Sequence, residues 1–325
     1  HTIRHFGLGY APPSRFALTD HLTKLGYSKE EQVQANVAFV SRNGSRLVDR
    51  FAGRVMFPII DLRGNVIAFG GRILTDEKPK YLNTADTLVF KKSSNLFAMN
   101  FAKNCKDDRL LLVEGYMDVI ALHQAGFSNA VATLGTALTQ EQAQLMSRYV
   151  SEVVVSYDAD EAGQRAAQRA IHFLRNCGVN VKVLVVPDGK DPDEYIRSHG
   201  EQGAIRFRQM LENSDNDVQY QLSKLKSRYN LREPAGQVAY LNGAAEILAE
   251  LDNPMERDVY AGRLAQEMNI DRTAVQLQIN KLRRGRAQNR QKKEFREYQQ
   301  QVTCVRDSVN PEKFQNPVAP MRRKG

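Results

Sequence analysis

Between about Arg109 and Gly200 the apolar positions switch regularly between two periods. "RLLLVE" is a short apolar run, "YMDVIALHQAGF" has helical spacing closed by a glycine, and "NAVATLG" is again strand-like. The unit then repeats. "TQEQAQLMSRYV" opens on Thr139 with Gln142 three residues later, a capping-box arrangement, and leads into "EVVVSYD". The following helix is predicted to carry Ala162, Ala166, Ala170, Leu174 and Cys177 on one face and to stop at Gly178, before a last strand in "NVKVLVV". Such alternation implies parallel strands joined by right-handed crossovers, hence a three-layer α/β domain.

The flanks differ. Up to residue 107, strand-like pieces such as "RVMFPII" and "VIAFGGRIL" sit among the turn signals "APPS", "RNGS" and "LRGN", which predicts a mixed α+β subdomain. Beyond Gly200 the strand signal almost vanishes. "AYLNGAAEILAEL", "MERDVYAGRLAQEM" and "TAVQLQINKLRRG" are amphipathic helices, and the pair joined by "NID" is expected to pack as an ordinary bundle rather than as a helix-turn-helix. From about Gly285 the chain is rich in Gln, Arg and Lys and lacks the apolar content to fold alone. The expected division is therefore 1–107, 108–204, 205–285 and a flexible basic tail at 286–325.

The net charge of +9 over 325 residues points to a polyanionic partner. Cys105, Cys177 and Cys304 are far apart and form no CxxC pair, so neither a zinc ribbon nor a disulfide framework is expected. With no apolar run of membrane-spanning length and no signal peptide, a reducing, cytoplasmic setting is the expectation. Opening on His1, the chain reads as a piece of something longer.

The chemistry gathers at one edge. In an open parallel sheet, ligands bind where the strands end. Glu114 ends the first strand of the repeat, Asp158 and Asp160 end the third, and Asp191 and Asp193 come after the fourth in "PDGKDPDEY". Alternate residues of an extended segment point the same way, so each Asp pair can present its carboxylates side by side. Four or five acids in one place repel, and a hard divalent cation relieves that repulsion. Mg²⁺ in particular is held by a few carboxylates plus water and phosphate oxygens. Asp118, in the first helical turn after Glu114, either supports the site or favours the helix dipole. Glu161 reads as surface, and His123 and His172 as ordinary helix residues.

"VEGYMDVIAL", "YDADEAGQRAA" and "DGKDPDEYI" resemble the TOPRIM module of primases, topoisomerases and some nucleases. With "FGLGYAPP", "DRFAGRVMFPIIDLRGNVIAFGGRIL" and "PKYLNT", the set resembles the catalytic core of the bacterial DnaG-type replicative primase, from the N-terminus to about residue 205. The resemblance implies an α/β fold with a mixed N-terminal subdomain, a central TOPRIM domain and a C-terminal helical bundle. It implies a DNA-dependent RNA polymerase that makes short RNA primers from ribonucleoside triphosphates on single-stranded DNA with Mg²⁺ or Mn²⁺. Glu114 would serve metal binding or proton transfer, Asp158 and Asp160 would be the main metal ligands, and Asp191 and Asp193 further ones. Arg50, Arg72, Lys80 and Lys92 would face template, primer or nucleotide. The family's zinc domain is expected to be missing here, and so is its C-terminal helicase-binding domain, through which the replicative helicase would be met. The rival activities are a TOPRIM nuclease or a topoisomerase, although no segment reads as the tyrosine-bearing strand-passage domain a topoisomerase needs. A non-catalytic recombination mediator would lack the acids that are present.

Overall fold

Antiparallel pairing organises the first hundred residues. Helix α1 (Thr2–Phe6) and strand β1 (Gly9–Ala11) precede α2 (Ala17–Lys24) and α3 (Lys29–Gln34), the latter opened by a Ser28/Glu31 capping box. Strands β2 (Ala38–Val40) and β3 (Leu47–Asp49) form a separate two-stranded ladder. Strands β4 (Arg54–Ile60), β5 (Val66–Ile73) and β6 (Tyr81–Asn83) join β1 in an antiparallel sheet of order β1-β4-β5-β6. The turn between β4 and β5 is set by Asp61, whose Oδ1 accepts the backbone N–H groups of Arg63 and Asn65 at 2.8 Å each. Buried Arg54 donates to the carbonyls of Gly71, Pro79 and Lys80 and so ties down the β5–β6 connection. A short helix, α4 (Met99–Ala102), leads into the central sheet.

That sheet is built from the apolar runs. Strands β7 (Arg109–Val113), β8 (Ala130–Ala132), β9 (Glu152–Val155) and β10 (Asn180–Val183) are parallel, in the order β10-β9-β7-β8. Leu110, Leu111, Leu112 and Val113, and likewise Val153, Val154 and Val155, are completely buried, because crossover helices cover both faces. The crossovers are α5 (Tyr116–Gln124), α6 (Gln140–Ser147) and α7 (Glu161–Asn176). Helices α8 (Pro192–Ser198) and α9 (Gly203–Glu212) come after β10, and a two-residue strand, β11 (Asp215–Asn216), adds antiparallel to its free edge. No strand was expected after Gly200: two polar residues on a sheet edge carry no apolar signal.

The mixed α/β class and the parallel crossovers are as the sequence predicts. The buried face of α7 agrees only in part: Ala170 and Leu174 are buried as expected and Ala166 and Cys177 half-buried, but the stripe also takes in Gly163, Ala167 and Ile171, and Ala162 is exposed. Counting strictly by fours drifts around a 3.6-residue helix, and the true stripe mixes steps of three, four and one.

This computed structural model describes residues 1–41, 44, 46–158, 160–187 and 191–308. The chain divides at Asp217/Val218 into two units. The second contains most of α10 (Asp217–Lys226), with α11 (Pro234–Glu250), α12 (Pro254–Met268) and α13 (Arg272–Ser308) around a core of Tyr240, Ala244, Leu248, Leu264, Val275 and Ile279. Asn253 caps α12 by accepting the N–H of Met255 at 2.9 Å, and Pro254 occupies its first turn. The stretch from 286, expected as a tail, continues α13 as helix to Ser308, since Arg, Lys, Gln, Glu and Ala favour helix. Residues 309–325 of that stretch lie outside the described residues. Among the described residues no helix is long and apolar enough to cross a membrane.

Leu112→Ala, which removes a fully buried side chain of β7, is expected to cost about 3 kcal/mol of stability. Urea unfolding monitored by far-ultraviolet circular dichroism measures it.

Candidate functional site

Strands β7 and β9 are hydrogen-bonded neighbours with Leu112 paired to Val155, so the segments leaving the two strands are brought together. Glu114 lies directly after β7, and its Oε1 accepts the backbone N–H of Asp158 at 3.0 Å. Asp160 then opens α7, its Oδ1 accepting the N–H of Gly163 at 2.7 Å. The helix can start so close only because residue 163 has no side chain. A Cβ there would lie 2.3 Å from the Asp158 carbonyl oxygen and 2.7 Å from Glu114 Oε1. Asp191 caps α8 in the same manner, accepting from the Glu194 N–H at 2.6 Å, and Asp193 in its first turn pairs with Arg197 at 2.9 Å. Asp118, in the first turn of α5, accepts the Gly115 N–H at 3.1 Å.

These carboxylates sense one another. Burial raises the Glu114 carboxyl above its ordinary range, and the charges of Asp158 and Asp160 add to this against the Asp158 hydrogen bond. Asp158 is raised by burial and then by Asp191 and Asp160. Asp118 is pushed up to about 7, chiefly by burial and next by Asp191, with Asp158 and Asp193 adding to it. Asp193 is raised by burial and Asp191, with Arg197 and Arg72 opposing. The acids of the three strand ends therefore form one electrostatic cluster, and Asp118 belongs to it.

Of the four expected basic residues, Arg72 on β5 reaches this cluster. Its charge is felt at Asp193 and at Tyr81, and its guanidinium carbon lies 5.7 Å from the Tyr81 ring centre. Its Nε is buried without a hydrogen-bond partner. Arg50, just after β3, likewise has a buried Nε without a partner, and burial lowers its pKa. Lys80 is exposed beside β6. Lys92 starts a 3₁₀ turn, with its N–H on Asp86 Oδ1 at 2.9 Å and its carbonyl accepting from Gln142 Nε2 at 2.8 Å. Among the described residues Arg50, Lys80 and Lys92 have no contact with the carboxylates.

The residues that join the two sheets went unnoticed in the sequence. Tyr116 donates its hydroxyl proton to Asn83 Oδ1 at 2.8 Å, and Asn83 Nδ2 donates to the Leu134 carbonyl at 2.9 Å. The Tyr116 ring stacks on Phe57 and lies over Gly70, where a Cβ would come within 2.7 Å of it. Gly163 left a legible trace, a glycine in the first turn of a helix, where its flexibility is a cost unless close approach demands it. Asn83 left none. His123 is structural: its Nε2 lies 3.0 Å from the Ala130 carbonyl oxygen.

Among the described residues no group of three or more His, Cys, Asp or Glu is already gathered as a metal cage. The donors are carboxylate oxygens that raise one another's pKa, and they carry no thiolate or imidazole. That set fits a hard divalent cation keeping much of its water, and not a closed tetrahedral site.

Known proteins share this fold and its sequence. Residues 1–103 match the DNA primase catalytic core, N-terminal domain, and residues 111–196 match the Toprim-like family. A solved DNA primase domain from Pseudomonas aeruginosa is 36% identical and superposes with a TM-score of 0.73, covering 86% of this chain and 88% of that one. The chain belongs to the DnaG-type primase family. A DnaG primase catalytic domain solved bound to single-stranded DNA is 34% identical, with a TM-score of 0.72 over 84% of this chain and 86% of that one. The DNA primase of Clostridium acetobutylicum is 43% identical over 275 residues, which are 84% of this chain and 45% of that primase. The chain thus spans less than half the length of that curated primase. The Toprim-like match implies use of divalent metal in general. Residues 218–273 match the DnaB-helicase binding domain of primase. This corrects the expectation that such a region lies outside the chain: three amphipathic helices show a packing stripe but no polar motif that names a partner.

Gly163→Ala is expected to weaken Mn²⁺ binding at least tenfold in a calorimetric titration while costing about 1–3 kcal/mol of stability, because backbone and carboxylate must both move. A second test uses pH. Asp118 stays neutral to about pH 7 when folded but ionises near ~4 when unfolded, so metal-free protein loses stability over that interval as pH rises. Asp118→Asn keeps the acceptor for Gly115 and removes the charge. In chelator its unfolding free energy from urea titration should rise at pH 8, by on the order of 1–2 kcal/mol after solvent screening, and be unchanged at pH 4.

Proposed function

We propose that this chain is the RNA-polymerising core of a replicative primase, joining ribonucleotides into short primers on single-stranded DNA. The observation that carries the reading is the carboxylate cluster closed by the Glu114–Asp158 hydrogen bond, with Arg72 across from Asp193. A nuclease needs only the acids. A polymerase must also hold a triphosphate, and a cation facing the acids suits that task.

Each residue then has a role in its own chemistry. Asp158 and Asp160, with Asp191 and Asp193, would hold Mg²⁺ or Mn²⁺, and the ion would supply neutralisation of pyrophosphate and alignment of the attacking hydroxyl. Glu114, with one oxygen committed to the Asp158 N–H, has its other oxygen for an ion or for the proton of that hydroxyl. Asp118 supports the cluster from the first turn of α5. Arg72 and Arg50 would bring their guanidinium charge to phosphate, and exposed Lys80 and half-buried Lys92 would meet template or primer backbone. Residues 1–107 serve template and nucleotide, 108–204 metal chemistry, and the 218–273 helices a DnaB-type helicase, as their family description suggests. The reaction would take place in the cytoplasm, at the replication fork.

The experiment supplies the chain with single-stranded DNA, Mg²⁺ or Mn²⁺ and labelled ribonucleotides. Short RNA and pyrophosphate are the expected products, and chelation stops both. Glu114→Gln and Asp158→Asn should each lower synthesis roughly hundredfold or more while DNA binding changes less than about threefold, since the acids act on the reacting phosphate and not on the template. Cleaved DNA with no ribonucleotide incorporated would replace this reading with the nuclease.

A further inference from the structure

Gln142 is completely buried, and the capping box of α6 uses only part of it. Its Oε1 accepts the Thr139 N–H at 3.1 Å, while Thr139 Oγ1 accepts the Gln142 N–H at 3.1 Å. A glutamate would complete that box equally well. What calls for an amide is Nε2, which donates to the carbonyls of Lys92 at 2.8 Å and Asn95 at 2.7 Å. Thr139 is used twice in the same way, since its hydroxyl proton goes to the Ser93 carbonyl at 2.6 Å. The start of α6 thus grips a turn 46 to 50 residues earlier in the chain.

That turn is short, a 3₁₀ helix over Lys92–Ser94, with little stability of its own. Other side chains hold it too. The Lys92 N–H lies on Asp86 Oδ1 at 2.9 Å, Asn95 Nδ2 donates to the Lys91 carbonyl at 2.9 Å, and buried Phe90 and Leu96 fix the chain on either side. Helix α6 follows β8, so its start lies towards the C-terminal edge of the parallel sheet, the edge that carries Glu114 and Asp158. The backbone of Lys92 is therefore pinned on the carboxylate side of the sheet, while its side chain keeps a long flexible stem. A lysine on a fixed backbone samples far fewer positions than one on a mobile loop, so less entropy is lost when it meets a phosphate.

We propose that Gln142 is a positioning residue for single-stranded DNA: through the carbonyls of Lys92 and Asn95 it fixes the turn from which the Lys92 ammonium reaches a backbone phosphate. The proposal rests on the reading of Lys92 as a nucleic-acid contact. It does not rest on the polymerase chemistry, because it is read by binding alone.

The test is a double-mutant cycle in the full chain: the parent, Gln142→Met, Lys92→Ala and the two combined, with Asn129→Ala as a control. Asn129 is another buried amide, and it donates to the Arg109 carbonyl at 3.0 Å at the opposite end of the sheet. Fluorescence anisotropy with oligo(dT) over a range of salt gives Kd and its salt slope, and circular dichroism checks that each chain is folded. Lys92→Ala should remove roughly 0.7 from the log–log slope, the contribution of one phosphate contact on a single strand. Gln142→Met should raise Kd about threefold or more when Lys92 is present, and leave it within about 1.5-fold when residue 92 is already alanine, because residues that act through one another are not additive. Should Gln142→Met fail to fold, Thr139→Val releases the same turn at Ser93 and takes its place in the cycle. Asn129→Ala should lower Tm without changing Kd. Gln142→Met binding like the parent while Lys92→Ala binds weakly would overturn the proposal. So would an undiminished Gln142→Met effect in the Lys92→Ala chain, or an equal loss of binding in Asn129→Ala. If Lys92→Ala itself binds like the parent, the Lys92 contact falls, and this proposal with it.

Discussion

Everything at the carboxylate site depends on how closely two adjacent strand ends and one helix start approach each other. The Glu114 carboxylate reaches across to the Asp158 N–H, and the first turn of α7 lies against both groups over the bare backbone of Gly163. This contact holds Asp158 beside Glu114, while Asp160 is held at the first turn of α7 by the Gly163 N–H. It also costs stability: ionised groups are crowded into a partly buried place and raise one another's pKa. A divalent cation bound there would offset that cost by relieving the same repulsion.

The antiparallel sheet shares in this geometry. Tyr116, two residues after Glu114, is stacked on Phe57, seated over Gly70 and hydrogen-bonded to Asn83, which also holds the Leu134 carbonyl. These contacts fix β5 relative to the start of α5, and β5 carries Arg72. The position of a cation across from the acids is thus a consequence of aromatic packing and one amide side chain. Loss of either would separate the charges without touching a carboxylate.

Much of this is legible in the chain. The parallel sheet is implied by apolar runs alternating with helical spacing, and Glu114, Asp158, Asp160, Asp191 and Asp193 by the rule that strand ends share an edge. Periodicity reports burial, so it finds most elements and slips where a fixed step of four misplaces part of the α7 face and where β11 and the far end of α13 carry little apolar signal. It cannot report pairing between distant segments. Nothing local marks Asn83 as the partner of Tyr116, 33 residues away, or singles out Arg72 from other basic residues as the one facing Asp193. Asp118 reads equally as a dipole partner or a site residue, because the distinction lies in its burial among Asp191, Asp158 and Asp193. The helices of residues 218–273 show their packing and not their partner, since an apolar stripe describes a core.

If the carboxylates from three strand ends act together as one site for a divalent ion, crystals soaked in Mn²⁺ and measured at the manganese absorption edge should show it. Anomalous density is expected among Asp158, Asp160 and the acids beside them, with carboxylate oxygens at roughly 2.0–2.3 Å and water completing the shell. Ordered carboxylates with no anomalous density between them, in crystals that bind manganese elsewhere, would contradict a shared site.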